Sequence, residues 1–187
     1  MTAKTTKPRC LMLDANIIIV ACKLDVWQTI IDNCEVYVPS IVVHEEALFY
    51  FKKGSTSKHY IDLPRLVSEK KVIEVAASAE ELSALNIVFE DLFLQQIHAG
   101  EAEALALLVA EKLPTTCLYC TGDAPPIKAL AMLGKQERGI SFESLLKGVG
   151  RIRKLRTQYT EQFFQEMLKR GSMNFITRAG LSNKSSG

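Results

Sequence analysis

The chain has 187 residues, of which 48% are hydrophobic and 24% are charged, the proportions of an ordinary globular protein. This length favours one domain with a short appendage over two full domains. The apolar runs are shorter than the roughly 18 residues that cross a bilayer, and the basic N-terminus lacks the apolar core of a signal peptide. Five cysteines cannot all pair, which is typical of a reducing compartment. We therefore expect a cytoplasmic protein that contacts no membrane.

The first half of the chain alternates between short apolar runs and helical patterns. Residues 10–13 predict a buried strand that ends at Asp14, and residues 17–22 then continue as a helix. Residues 36–38 predict a second strand. The Pro-Ser pair behind it favours a helix over 41–53.

The second half repeats this alternation. We expect, in order, a strand over 72–75, helices over 79–95 and 101–113, a strand over 116–121, a helix over 125–133 and a short strand over 140–142. Strands that alternate with helices indicate an α/β protein, a three-layer α/β/α sandwich around a mainly parallel sheet. Ligands of such folds bind at the carboxyl ends of the strands.

The chain changes character after Gly150. Eight basic and two acidic residues follow it, whereas the whole chain has a net charge of only +2, so the part before it is net negative. Apolar residues recur at helical spacing over 157–170, which predicts an amphipathic helix. We expect a domain over 8–149, a basic helical extension over 150–180 and a disordered tail over 181–187.

Four acidic residues are expected at one edge of the sheet. Asp14 and Asp123 directly follow predicted strands, and Glu45 and Glu101 lie in the first turns of helices that begin near the same edge. Clustered carboxylates repel one another unless a cation enters, and hard oxygen ligands suit Mg²⁺ or Mn²⁺. The set predicts a metal-dependent phosphodiesterase site.

Two plainer interpretations stay open at this point. The helix macrodipole stabilises acids in a first helical turn, which would explain Glu45 or Glu101 without a metal ion. The three histidines lack the spacing of metal ligands, so we interpret them as structural; they are His44, His59 and His98.

Four short motifs resemble those of the PIN-domain ribonucleases, in the same order and with matching spacing over roughly residues 8–148. They are Leu13-Asp14-Ala15-Asn16-Ile17, Pro39-Ser40-Ile41-Val42-Val43-His44-Glu45, Gly100-Glu101-Ala102-Glu103-Ala104-Leu105 and Thr121-Gly122-Asp123. The resemblance implies an α/β/α fold with strand order 3-2-1-4-5 and a Mg²⁺- or Mn²⁺-dependent nuclease centre that cuts RNA. It also implies a homodimer and, for a VapC-like toxin, a protein antitoxin as partner.

The resemblance assigns roles to six residues. It implies four catalytic acids, which are Asp14, Glu45, Glu101 and Asp123. It also implies two supporting polar residues, Asn16 and Thr121. The metal ion would be held by Asp14, Glu101 and Asp123, and Glu45 would orient or deprotonate the attacking water. Glu46 and Glu103 are the main alternatives if the register differs. No second acid follows Asp123, so the number of metal ions stays open.

An RNA substrate needs cations near this negative edge. The candidate RNA-binding residues flank the second predicted helix and open the extension: Lys52, Lys53, Lys58, Arg151, Arg153, Lys154 and Arg156. A solvated basic surface would explain them equally well. The apolar stripe of the extension could pack on the domain, on a second copy or on an antitoxin.

We therefore expect a metal-dependent endoribonuclease, either a toxin or a stand-alone relative. The alternative is a non-catalytic RNA-binding or scaffold protein that keeps the fold and uses its basic segment. A DNA-cutting nuclease fits less well, because such relatives usually carry more acidic ligands.

Overall fold

The computed structural model describes residues 9–52, 54 and 56–182. The strands of this part are β1 (Cys10–Leu13), β2 (Glu35–Pro39), β3 (Phe49–Phe51), β4 (Lys58–Tyr60), β5 (Ile73–Val75), β6 (Cys117–Cys120) and β7 (Gly139–Ile140). Five of them form an all-parallel sheet in the order β5-β2-β1-β6-β7. The other two, β3 and β4, form a separate antiparallel hairpin.

Helices flank the parallel sheet. They are α1 (Ala15–Lys23), α2 (Trp27–Asn33), α3 (Leu63–Ser68), α4 (Ala79–Val88), α5 (Asp91–Leu94), α6 (Ala99–Val109), α7 (Ala124–Met132), α8 (Phe142–Gly148) and α9 (Glu161–Thr177). A π-helical turn spans Val42–Glu46, and 3₁₀ turns span Gln136–Arg138 and Thr157–Tyr159. Within the described ranges, no helix combines the length and the apolar character that a membrane span requires.

The central strand β1 shows how the layers form. Its side chains alternate between two buried clusters, with Leu11 and Leu13 in one and Cys10 and Met12 in the other. Helices α1, α2 and α8 supply the first cluster, and α6, α7 and α9 supply the second. A parallel sheet buried on both faces confirms the predicted α/β class.

The helix predicted over 41–53 is wrong. The amide of Ala47 donates to the carbonyl of Val42 at 3.1 Å, an i→i+5 bond that defines a π turn, and the helix ends there. The aromatic run that follows pairs in register with β4, so Phe49 lies opposite Tyr60. Aromatic side chains favour a half-buried strand, and here they outweigh the helical pattern.

Leu181 and Ser182, the first two residues of the tail predicted over 181–187, lie against the body of the molecule. Leu181 forms an isolated antiparallel bridge with Phe89, and both side chains are buried. The amide of Ser182 donates to the carbonyl of Val88 at 2.9 Å. Phe89 is extended in this bridge, which breaks the helix predicted over 79–95. Residues 183–187 lie outside the described ranges.

The extension after Gly150 packs on the body of the molecule. Phe164, Met167 and Leu168 of α9 are buried in the cluster that α7 also contributes to. Gly171 allows the close approach, because a Cβ there would collide with the backbone of Lys128. Of the three surfaces open from the sequence, the apolar stripe therefore covers the domain itself.

Candidate metal centre

Asp14 stands at the carboxyl end of β1 and caps α1. Its Oδ1 accepts a hydrogen bond from the amide of Ile17 at 2.8 Å, and the side chain is only 2% exposed. Its Oδ2 is buried and has no hydrogen-bond partner among the described residues. Burial raises the pKa of Asp14 to about 7, and the negative charges of Asp123 and Glu46 add to the rise. One oxygen thus fixes the side chain, and the other makes no hydrogen bond to the described residues.

Glu101 repeats this arrangement in the first turn of α6. Its Oε2 accepts a hydrogen bond from the amide of His98 at 2.9 Å, while its buried Oε1 has no partner in the described part of the chain. Burial raises the pKa of Glu101 to about 8, and the charges of Asp14 and Asp123 contribute. Helix capping and a role in the site are therefore compatible, because each uses a different oxygen.

Asp123 follows β6 and is held by both predicted supporting residues. Its amide donates to Oγ1 of Thr121 at 3.2 Å, and its Oδ2 accepts from Nδ2 of Asn16 at 2.6 Å. Asn16 lies in the first turn of α1, so this bond joins the ends of β1 and β6. The structure brings these predicted residues together at one sheet edge.

His98 lies beside Glu101 and Asp123, although the sequence predicted a structural role for this histidine. One ligand atom each from His98, Glu101 and Asp123 lie within 4.8 Å of one another, which makes them a candidate metal-binding group. The His98 side chain is 73% exposed, and its Nδ1 lies 3.6 Å from Oε2 of Glu101. The available signal was the spacing, since a residue three positions before Glu101 shares its helical turn.

The structure places Glu46, and not Glu45, beside the cluster, which corrects the expected register by one residue. Oε1 of Glu46 accepts from the amide of Gly100 at 3.0 Å, and Glu46 lines a pocket with Asp14 and Glu101. Glu45 is exposed and is not among the described residues that line this pocket. An i→i+5 turn holds one residue more than an α-helical turn, so the side chain that returns to the sheet edge comes one position later. A Cβ at Gly100 would collide with the Glu46 carboxylate.

Glu103, the other alternative in register, is buried but engaged elsewhere. Its Oε2 accepts from the amide of Ile41 at 2.9 Å, and its Oε1 accepts from the amide of Ala77 at 3.1 Å. These amides follow the ends of β2 and β5, so Glu103 ties the two strand ends together.

An acidic pocket of about 310 Å³ lies at this edge of the sheet. It is lined by Asp14, Ala15, Asn16, Ile19, Glu46, His98 and Glu101. Among the described residues, buried side-chain polar atoms without a hydrogen bond are Asp14 Oδ2, Glu101 Oε1 and the hydroxyl of Tyr119. Burial raises the pKa of Tyr119 well above its usual range, and the charges of Asp14 and Glu101 add to the rise.

These residues fit a hard divalent cation. The possible ligand atoms are mostly carboxylate oxygens, with one imidazole nitrogen. Two of the buried oxygens accept no hydrogen bond from the described residues. Burial and the charges of neighbouring carboxylates raise the pKa values of Asp14 and Glu101, and a bound cation would stabilise their charged forms.

The predicted RNA-binding cations divide into two groups. Lys154 and Arg156 line a larger cavity next to the acidic pocket. The others that are described have partners elsewhere: Lys52 pairs with Asp25 at 3.7 Å, Lys58 covers the ring of Phe49 at 4.4 Å, Arg151 donates to Oγ1 of Thr29, and Arg153 donates to the carbonyl of Ile152. Lys53 lies outside the described residues.

Comparisons of the chain with protein-family models, with curated proteins and with solved structures found no match. The likeness to PIN-domain ribonucleases therefore depends on the four sequence motifs. The geometry of the acidic pocket is independent of that likeness.

Proposed function

We propose that the protein is a metal-dependent ribonuclease of the PIN type, which hydrolyses RNA phosphodiester bonds in the acidic pocket with Mg²⁺ or Mn²⁺. The observation that carries the proposal is the pair of buried carboxylates, Asp14 and Glu101. Each is fixed by a backbone amide through one oxygen, has a second, buried oxygen without a described hydrogen-bond partner, and lines the same pocket.

The topology supports this proposal. Counted along the chain, the strands of the parallel sheet lie in the order third, second, first, fourth and fifth, which is the order that the PIN resemblance implies. From β1 the chain adds β2 and β5 on one side of the sheet, and then adds β6 and β7 on the other side. The strand order therefore reverses between β1 and β6, and ligands of open parallel sheets bind at such a switch point. Asp14 directly follows β1, and Asp123 follows β6 after two intervening residues.

Four side chains would hold the cation. Asp14, Glu101 and Asp123 would supply carboxylate oxygens, and His98 would supply a ring nitrogen from the mouth of the pocket. A divalent ion bound there lowers the pKa of a coordinated water and neutralises charge on the phosphate.

The remaining residues of the pocket orient groups and accept a proton. Asn16 and Thr121 hold Asp123 in place through its carboxylate and its amide. The Gly100 amide fixes one oxygen of Glu46, and the second oxygen is then available to accept a proton from the attacking water. The water oxygen bonds to phosphorus, the bond from phosphorus to the leaving oxygen breaks, and that oxygen takes a proton from solvent.

The decisive experiment compares the full chain with Asp14→Asn. We expect the wild type to cleave an end-labelled RNA with Mn²⁺ and not with EDTA, and we expect the variant to be at least about 100-fold slower with an unchanged circular dichroism spectrum. Millimolar Mn²⁺ should raise the melting temperature of the wild type and not of the variant. Equal cleavage by both proteins, purified side by side, would refute the assignment. RNA binding without cleavage would instead support the non-catalytic alternative.

A further inference from the structure

A second, larger cavity opens beside the acidic pocket. Its volume is about 800 Å³, and it shares Asn16 and Ile19 with the acidic pocket as lining residues. Its walls come from α1, from Phe51 of the hairpin, and from residues 154–159, which connect α8 to α9. We call it the side cavity. The extension after Gly150 therefore does more than pack a helix on the body, because it completes this cavity.

The side cavity combines an apolar floor with a cationic rim. Ile19, Val20, Leu24, Phe51 and Leu155 supply apolar surface, and Phe51 is 43% exposed. The rim carries Lys23, Lys154 and Arg156, all exposed. None of these three cations forms an ion pair with a described carboxylate, so their charges are available to an anion.

Tyr159 fixes the wall of the side cavity relative to the acidic pocket. Its ring is 9% exposed and packs edge-on against Phe142 at 5.9 Å between centroids. It also lies directly on Gly122, where a Cβ would collide with the ring. Gly122 directly precedes Asp123, so this contact holds Tyr159, which lines the side cavity, beside the acidic edge of the sheet. The side cavity and the acidic pocket thus have a fixed spacing.

We propose that the side cavity is a nucleotide subsite, which takes an unpaired base of single-stranded RNA next to the phosphodiester that is cut. The proposal rests on the proposed ribonuclease function. The base would stack on Phe51 over the apolar floor, and the flanking phosphates would contact Lys23, Lys154 and Arg156. A volume of about 800 Å³ lies within the range of sites that enclose a whole small ligand. A base inside a duplex keeps its stacked neighbours and cannot enter, so paired RNA is a poor substrate.

Binding can be tested without cleavage, with the full-length protein in EDTA. Fluorescence anisotropy with a fluorescein-labelled decauridylate measures affinity, and an RNA duplex of the same length is the comparison. We expect Arg156→Ala to weaken decauridylate binding about 10-fold and to lower the salt dependence, d log K/d log [salt], by about 0.7. Arg153→Ala is the matched control, because Arg153 carries the same charge three residues earlier and does not line the side cavity. Its effect should stay within about 3-fold.

The aromatic platform is tested in the same assay. Phe51→Ala should weaken decauridylate binding by roughly 5- to 100-fold, with little effect on the duplex, and Phe51→Tyr should restore it. Circular dichroism of each variant checks the fold.

Each outcome separates the subsite from the proposed function. Unchanged decauridylate affinity in Phe51→Ala and Arg156→Ala, alongside Asp14-dependent cleavage, would overturn the subsite alone. Loss of affinity in both variants, with no Mn²⁺-dependent cleavage by the wild type, would support the subsite and overturn the ribonuclease. Displacement of the decauridylate by polyglutamate as readily as by unlabelled RNA would show a site for acidic peptides and overturn the subsite.

Discussion

Two buried glutamates lie two residues apart on the same helix, α6, and have opposite surroundings. Both carboxylate oxygens of Glu103 accept hydrogen bonds from backbone amides, those of Ile41 and Ala77. Only one oxygen of Glu101 does so, and the other is buried without a described partner. The side chains are almost equally buried, at 3% and 4% exposure, so burial does not distinguish them. The difference lies in how completely their hydrogen-bonding capacity is met.

This contrast extends to the two halves of the sheet edge. Beyond β2 and β5, both oxygens of the Glu103 carboxylate accept hydrogen bonds, and the residue joins the ends of the two strands. We call this half the closed edge. Beyond β1 and β6, Asp14 and Glu101 keep unpartnered oxygens in a pocket. A buried polar group without a partner costs free energy, on the order of 1–3 kcal/mol and more for a charge. Two unsatisfied carboxylates beside one that is fully satisfied support the metal site that we propose at this edge.

The strongest test of the comparison makes the same substitution at both positions. Glu101→Gln should lower Mn²⁺-dependent cleavage at least about 100-fold while the melting temperature stays the same or rises, since a repelling charge is removed. Glu103→Gln should leave cleavage per folded molecule within about 3-fold but destabilise the fold by about 2–4 kcal/mol. In that variant an amide NH₂ faces a backbone N–H where an oxygen stood.

Urea unfolding in EDTA and cleavage of a labelled RNA measure the two effects on the same preparations. Comparable stability losses in both variants would contradict the distinction between a structural and a ligand-binding carboxylate.

A smaller effect separates the two acids of the π turn. Glu46→Gln should slow cleavage roughly 10- to 100-fold, because the amide keeps the bond from Gly100 but cannot accept the proton of the attacking water. Glu45→Gln, the matched control one residue earlier, should change the rate less than about 2-fold, because Glu45 is exposed. Initial rates under single-turnover conditions measure both. A larger loss in Glu45→Gln than in Glu46→Gln would restore the register expected from the sequence.

Much of the fold follows from the sequence, because short apolar runs alternate with helical patterns. The central strand is an example, since residues 10–13 are apolar throughout, as a strand buried on both faces requires. The helix predicted over 41–53 failed because a π turn cannot be distinguished from an α-helix by apolar spacing over five residues. Likewise, the order of Leu181 depends on a bridge to Phe89, more than 90 residues away in the chain.

Some residues of the candidate site could also be predicted from the sequence, and others could not. Asp14 and Asp123 could be predicted, because residues that directly follow parallel strands meet at one edge. Glu46 could not be separated from Glu45, because the choice depends on one residue of helical register. His98 was missed because its one signal, a position three residues before Glu101, has meaning only once Glu101 is known to belong to the site. The side cavity joins segments that are distant in sequence, and only the folded chain brings Phe51 and Arg156 to one hollow.

The smallest expected effect is a pH dependence of stability that arises from Asp14 and Glu101. The pKa values of Asp14 and Glu101 are raised to about 7 and about 8, so the folded, metal-free protein holds these protons more tightly than the unfolded chain. The resulting stabilisation is fully present below about pH 4 and is lost as the pH rises through 7 and 8. The melting temperature in EDTA should therefore fall between pH 5 and pH 9, by about 5 to 10 °C.

Mn²⁺ should reverse this fall, because the cation binds the deprotonated carboxylates and competes with protons for them. The rise in melting temperature with Mn²⁺ should be larger at pH 8.5 than at pH 6, and Asp14→Asn should flatten both the pH dependence and the effect of Mn²⁺. Glu103→Gln is the control, since it removes a buried carboxylate that does not line the acidic pocket and should keep the effect of Mn²⁺. A gain with Mn²⁺ that is equal at the two pH values would mean that the cation binds somewhere other than these two carboxylates.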